Sequence, residues 1–263
     1  MLKKLLKYDL VYIFKGVNVF YILSIFFALL TRIFLSIEGS FIFNVIGKIC
    51  SGVTISMIFN IIINNLMRLW VRFKNNLYGD ESYLTHTLPI KKSTLYKSKI
   101  ISAFITLFVS VLVIGISLFI AYYSKENLMI LKNVLLPIAN AYGGTIMQII
   151  LAALFIIFLE LANGLQAGYT GVILGHKMNN VKVGFSVLYG FIAYLLTQVF
   201  VLLILFICAL FNSDLMNLFN TTQIINVDIL KFVLVLSIIT YTITIVIGYI
   251  VNIKLFNQGV NVD

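Results

Sequence analysis

Residues 75–123 read NNLYGDESYLTHTLPIKKSTLYKSKIISAFITLFVSVLVIGISLFIAYY. The first half is polar and dense in charge; the second, from Ile100 to Tyr123, contains no charged residue. About 20 helical residues cross a hydrocarbon core of about 30 Å, so the second half is a membrane span. In lipid every backbone N–H and C=O must be satisfied within the protein, and a single span does that only as a helix. Alternating strand patterns with turn signals, the mark of a membrane β-barrel, are absent.

The rest of the chain follows the same pattern. Of 263 residues, 61% are hydrophobic and 11% charged, with mean hydropathy +1.07. A soluble domain carries about 25% charged residues. Apolar runs predict an all-α membrane protein, one transmembrane domain over 1–263, with spans at about 17–37, 46–66, 99–123, 145–173, 184–211 and 230–252. Residues 124–144 are too polar to span, and Pro137, Gly143 and Gly144 read as breakers around a short surface helix. Glu38, Gly39 and Ser40 read as a turn, and 212–229 as a second loop.

Lysine and arginine placement sets the expected orientation. One set of span ends holds Lys3, Lys4, Lys7, Lys15, Arg68, Arg72, Lys74, Lys91, Lys92, Lys97, Lys99, Lys177, Lys182 and Lys254, 14 of the 19 basic residues. The other holds Arg32, Lys48, Lys125, Lys132 and Lys231, with Glu38, Glu126, Asp214 and Asp228. The basic side is expected to be cytoplasmic, in a multi-pass plasma-membrane protein with both termini inside. The net charge of +10 then needs anionic lipid and no nucleic acid. The start lacks the small-residue cleavage site of a signal peptide. Cys50 and Cys208 read as small buried hydrophobes inside spans.

The opening MLKKLLKYDLVYIFK turns with helical period: Lys3, Lys4, Lys7 and Lys15 on one side, Leu2, Leu5, Leu6, Leu10, Tyr12 and Ile13 on the other. It predicts an amphipathic interfacial helix over 1–15, ahead of the first span. Asp9 falls within the apolar face, where a bare carboxylate in lipid is costly. That face is therefore expected to meet protein and supply Asp9 with a basic partner. In the loop, Asp80 or Ser82 is placed to cap a short helix, Pro89 to break it, and Ser93 to cap the next.

Glu81-Ser-Tyr-Leu-Thr-His-Thr-Leu-Pro89-Ile90, with Leu95 and Ser98-Lys99 after it, resembles the "E-x-Y-L-T-x-T-L-P-V-S … L-x-x-S-K" signature of ABC transporter permeases of the type-2 exporter class. Gly175-His-Lys-Met-Asn-Asn180, followed by Gly184-Phe-Ser186, is similar to that family's turn between spans four and five, and LLKYDL to its common opening. Lys91-Lys92 departs from the pattern, which usually has a serine there. The resemblance implies a six-span half-transporter with the fold of the G-subfamily exporters. It would pair with a second permease chain, identical or related, and with cytosolic ATPase subunits holding ATP and magnesium. The opening helix would be the connecting helix. Asp80, Glu81, Tyr83, Leu84, Thr87, Leu88 and Pro89 would form the coupling helix, with His176 and Lys177 as a second contact. Spans two and five would line the pathway, offering Thr54, Phe59 and Asn60 on one side and Tyr194, Gln198, Leu202 and Phe206 on the other. Such walls suit an amphipathic or apolar cargo, with a peptide toxin, antimicrobial peptide or drug the leading expectation.

The residues fit a chain that is not itself an enzyme. No G-x-x-x-x-G-K-[ST] phosphate loop occurs, so ATP chemistry is expected elsewhere. No Cys, His and Asp spacing suggests a metal, and no serine sits beside a base. Glu160 is the acidic residue deep in a span, a costly placement that marks either packing or a substrate or proton contact. Gly164, Gly168, Gly171 and Gly175 share its face as two small-xxx-small pairs, predicting close approach of another helix. Asn60 and Asn64, one turn apart, are placed to bond across helices. An ion-coupled carrier would show an inverted repeat, and none is visible. The alternative reading is a non-transporting scaffold, immunity or sensor subunit.

Overall fold

The structure is a computed structural model that describes residues 2–37, 39–178, 180–211, 216 and 227–259. Asn179, Glu38, 212–215 and 217–226 lie outside the described residues, and with them the turn expected at Glu38 and most of the loop expected over 212–229. Eight α-helices and no strands occur among those described: α1 Leu2–Leu35, α2 Phe41–Leu77, α3 Ser82–Thr87, α4 Lys92–Tyr122, α5 Lys125–Tyr142, α6 Ile146–Gly175, α7 Lys182–Phe211 and α8 Val227–Asn257. All but α3 and α5 are long and apolar enough to cross a membrane, α8 over Lys231–Asn257. The chain is an all-helical protein of multi-pass membrane character, and it divides into two compact units, residues 1–130 and 131–262.

In the first unit α1, α2 and α4 pack on one another, and α3 rests against α2. The seam of α1 is Asp9, Ile13, Val17, Tyr21, Ser24, Ala28 and Thr31, a repeat of three and four that places one residue per turn on the same face. Much of its interior is small or hydroxylated. Tyr21 and Ser110 hydroxyls lie 2.7 Å apart, Asn65 Nδ2 donates to Ser110 Oγ at 2.7 Å, Ser24 donates to Ser117 at 3.0 Å, and Thr31 meets Thr54 at 3.1 Å. The large side chains Ile22, Phe26, Phe59 and Ile63 point outward and are more than half exposed. Water would reverse that arrangement; lipid favours it, because helices in a membrane associate through close packing and interhelical hydrogen bonds.

In the second unit α6 packs against α7 and α8. Gly171 and Gly175 let α7 come close: a Cβ on Gly171 would strike the backbone of Ser186 and Gly190, and one on Gly175 would strike Ser186. Gly190 faces the Cα atoms of Gly168 and Gly171, at 3.7 and 3.8 Å from where its own Cβ would stand. Gly164 has open space beside it and takes no part in this approach. Asn252 of α8 donates to both oxygens available on Gln166, at 3.2 Å to the carbonyl and 3.0 Å to Oε1, and accepts from Thr170 at 2.8 Å.

Several element boundaries differ from those expected. No break separates an amphipathic helix over 1–15 from a span over 17–37; α1 is one helix of 34 residues. The second helix continues past residue 66 to Leu77. Residues 124–144 hold an 18-residue helix that runs through Pro137 rather than stopping there, and Gly143, at φ +65°, follows its end. The caps differ as well. Glu81 precedes α3 and Lys91 precedes α4, neither with a side-chain cap, while Ser82 lies inside α3. Asn60 donates to Ser56 O and Asn64 to Asn60 O, back along their own helix; Asn65 makes the bond to α4.

Candidate functional site: a charge network beneath an exposed helix

The polar end of the first unit joins four segments through four charges. Asp9 is 2% exposed, and its Oδ1 accepts from Lys99 Nζ at 2.6 Å and from Arg72 Nε at 3.1 Å. Arg72 Nη1 continues to Glu81, at 2.9 Å from Oε1 and 2.7 Å from Oε2. Asn76 Nδ2 adds a bond to Glu81 Oε2 at 2.9 Å, and the Arg72 guanidinium lies 4.5 Å from the Tyr12 ring centroid. Two anions and two cations balance. The α1 face carrying Asp9 thus meets protein and supplies two basic partners. Removing Asp9 leaves the buried Lys99 charge uncompensated, a change that costs about 3–5 kcal/mol.

The network positions α3. Glu81 stands just before its first turn, and His86 Nε2 lies 3.0 Å from the Leu77 carbonyl at the end of α2. Ser82 and Thr85 turn inward, with Thr85 Oγ1 donating to Glu81 O at 2.9 Å. Tyr83, Leu84 and Leu88 turn outward at 62%, 76% and 44% exposure, beside exposed Asp80, Thr87 and Pro89. Below them Tyr78 is buried, its ring 6.3 Å from Phe73, which meets Tyr96 edge-on at 6.1 Å. Burial pushes the Tyr78 phenol above its ordinary range. At Glu81 partial burial pushes the carboxyl up, but the Asn76 hydrogen bond and the charge and hydrogen bonds of Arg72 outweigh it and hold it below the usual carboxylate range. The result is a helix tied down at its base that presents Tyr83, Leu84 and Leu88 beside exposed polar and charged residues.

The other expected site residues fall elsewhere. His176 caps the C-terminal end of α6 and is fully buried, its Nδ1 2.8 Å from the Val172 carbonyl. It is therefore closed to a partner in this conformation, whereas the neighbouring Lys177 is exposed and donates to Gln258 Oε1 at 2.8 Å. Thr54 is fully buried against Thr31, unlike exposed Phe59 and half-buried Asn60. In the second unit Tyr194 and Gln198 serve Glu160: Tyr194 Oη donates to Oε1 at 2.5 Å and Gln198 Nε2 at 3.2 Å. Tyr241 of α8 approaches the same carboxyl, whose Oε2 is left without a hydrogen bond. Phe206 is half exposed on α7.

Asn76 and Tyr241 escape a reading of the sequence, because an asparagine in a turn and a tyrosine in an apolar helix carry no distinguishing pattern. Arg72 is legible there only as an orientation charge, and Lys99 only as that and as part of the Ser98-Lys99 resemblance. Asp9 on an apolar face is the signal that some cation must come to it. Among the described residues no group of three or more His, Cys, Asp or Glu is placed to hold a metal ion.

No protein-family model, no curated protein and no solved structure matches this chain.

Proposed function

We propose that this chain is the membrane-spanning subunit of an ATP-driven exporter, with α3 as the element through which a separate cytosolic ATPase acts on the membrane helices. The observation that carries this reading is the pairing of an outward apolar face, Tyr83, Leu84 and Leu88, with a buried charge network that ties its base to α1, α2 and α4. An exposed apolar cluster rimmed by polar and charged residues reads as a docking face for a protein. A network joining that face to three helices passes displacement onward instead of absorbing it. The sequence resemblance to ABC permeases over Glu81–Ile90 points the same way. In this reading the cargo is amphipathic or apolar, a peptide or a drug.

Two features part from the resemblance. The connecting helix is continuous with the first span, and the second contact reduces to Lys177 because His176 is buried. The test is affinity purification of the full chain from native membranes in mild detergent. Wild type is expected to retain a phosphate-loop ATPase, and Leu84→Asp to lose it while remaining inserted. Recovery of no ATPase with wild type, or equal recovery with Leu84→Asp, overturns the assignment.

A further inference from the structure

We propose that Arg68, seated on Gly16, binds the phosphate of an anionic phospholipid. Arg68 lies on α2 four residues before Arg72, so about 6 Å closer to the apolar part of the helix. Its guanidinium crosses Gly16 of α1 and fills the space a Cβ would take; Nη1, Cζ and Nε all lie there. The two arginines differ sharply in company. Arg72 holds two carboxylates, whereas no carboxylate pairs with Arg68 among the described residues. Arg68 Nε is buried and has no acceptor among the described residues. Lys15, next to Gly16 in the chain, adds an exposed cation on α1 that pairs with no carboxylate among the described residues.

A guanidinium at the edge of the hydrocarbon that no carboxylate of the described chain pairs with favours an anion from outside the chain, met on the side turned away from the buried Nε. Its planar fork fits phosphate oxygens in a bidentate way that an ammonium does not. Free phosphate and a lipid headgroup share this chemistry, and the surroundings favour the lipid. Met67 and Ile63 on α2 and Val19 and Ile22 on α1 are more than half exposed around the same helical turns, offering apolar surface along which acyl chains lie. The glycine matters because any larger residue at 16 would displace the guanidinium from its seat. This site is separate from α3 and holds whether or not an ATPase binds there.

The experiment is native mass spectrometry of the full chain, titrated in detergent with phosphatidylglycerol or phosphatidylcholine of identical acyl chains. Wild type is expected to bind its first phosphatidylglycerol about tenfold more tightly than phosphatidylcholine, or ~1.4 kcal/mol. Arg68→Gln is expected to erase that preference, and Arg68→Lys, which keeps the charge but not the fork, to lose most of it. The double variant Lys91→Gln/Lys92→Gln, with two charges removed from the same unit, keeps it. Equal binding of the two lipids by wild type overturns the proposal. So does full preference in Arg68→Lys, or a loss in the lysine variant as large as that in Arg68→Gln, which would mean diffuse attraction. Displacement of bound phosphatidylglycerol by inorganic phosphate assigns the site to the free anion and overturns the lipid reading.

Discussion

Asp9 is the residue on which the first unit turns. It is buried, it lies between Lys99 and Arg72, and its Oδ2 has no hydrogen bond of its own. Asp9→Ala leaves buried Lys99 without its carboxylate, while Arg72 keeps Glu81, and is expected to cost about 3–5 kcal/mol. Lys99→Met leaves Asp9 with Arg72 as its remaining cation and should destabilise by less. The double variant Asp9→Leu/Lys99→Met should cost less than the sum of the two single changes, because neither charge is then left alone. Thermal unfolding of the purified protein in detergent reads all of these; strict additivity would show that the pair is not coupled. Glu81 gives the network its pH dependence. Its folded carboxyl is held below its unfolded value, so its contribution is present above the unfolded pKa of about 4.3 and is lost as pH falls through the lower folded value. Proteolytic nicking around residues 79–91 is expected to be constant from pH 8 to 6 and to rise below about pH 4. Glu81→Gln should nick readily at every pH, and a pH profile in that variant matching wild type would assign the titration to another group.

At the scale of elements, hydropathy shows where lipid ends and says little about where a helix ends. Lysine and arginine are good helix formers, so α2 runs on through Arg68, Arg72 and Lys74 to Leu77, and α1 takes in Lys3 to Lys15 without a break. That is why six apolar helices were legible in the sequence and their ends were not. Pro137 misleads in the other direction. A proline stops a helix only when the lost donor and the ring clash outweigh the turns on either side, and α5 continues past it. The glycines of α6 show the same limit. Four of them read alike as small-xxx-small pairs, yet only the contact surface of α7 decides which are essential. Gly171→Ala is expected to cost about 1–3 kcal/mol by forcing Ser186 and Gly190 away. Gly164→Ala, with open space around it, should be neutral or stabilising by about 0.5–1 kcal/mol. Thermal midpoints that ranked the two variants the other way would place the α6–α7 contact elsewhere along the helix.

At the scale of the whole chain, the positive-inside pattern predicts an orientation. Fourteen basic residues gather at one set of helix ends and five at the other. If that bias sets orientation, the segment presenting Tyr83, Leu84 and Leu88 faces the cytosol, the compartment where an ATPase would be. Two exposed lysines report on opposite ends of α4: Lys91 just before its start and Lys125 just after its end. In a background with Cys50 and Cys208 replaced by alanine, Lys125→Cys is expected to react with a membrane-impermeant maleimide on intact cells. Lys91→Cys should react only after the membrane is opened. The reverse pattern would put α3 outside the cell, where no ATP is available, and would remove the exporter assignment together with its cytosolic partner. The lipid site at Arg68 would survive that reversal, because a guanidinium at the hydrocarbon edge meets phosphate in either leaflet. The two proposals therefore stand or fall on different measurements, and orientation is the one that separates them.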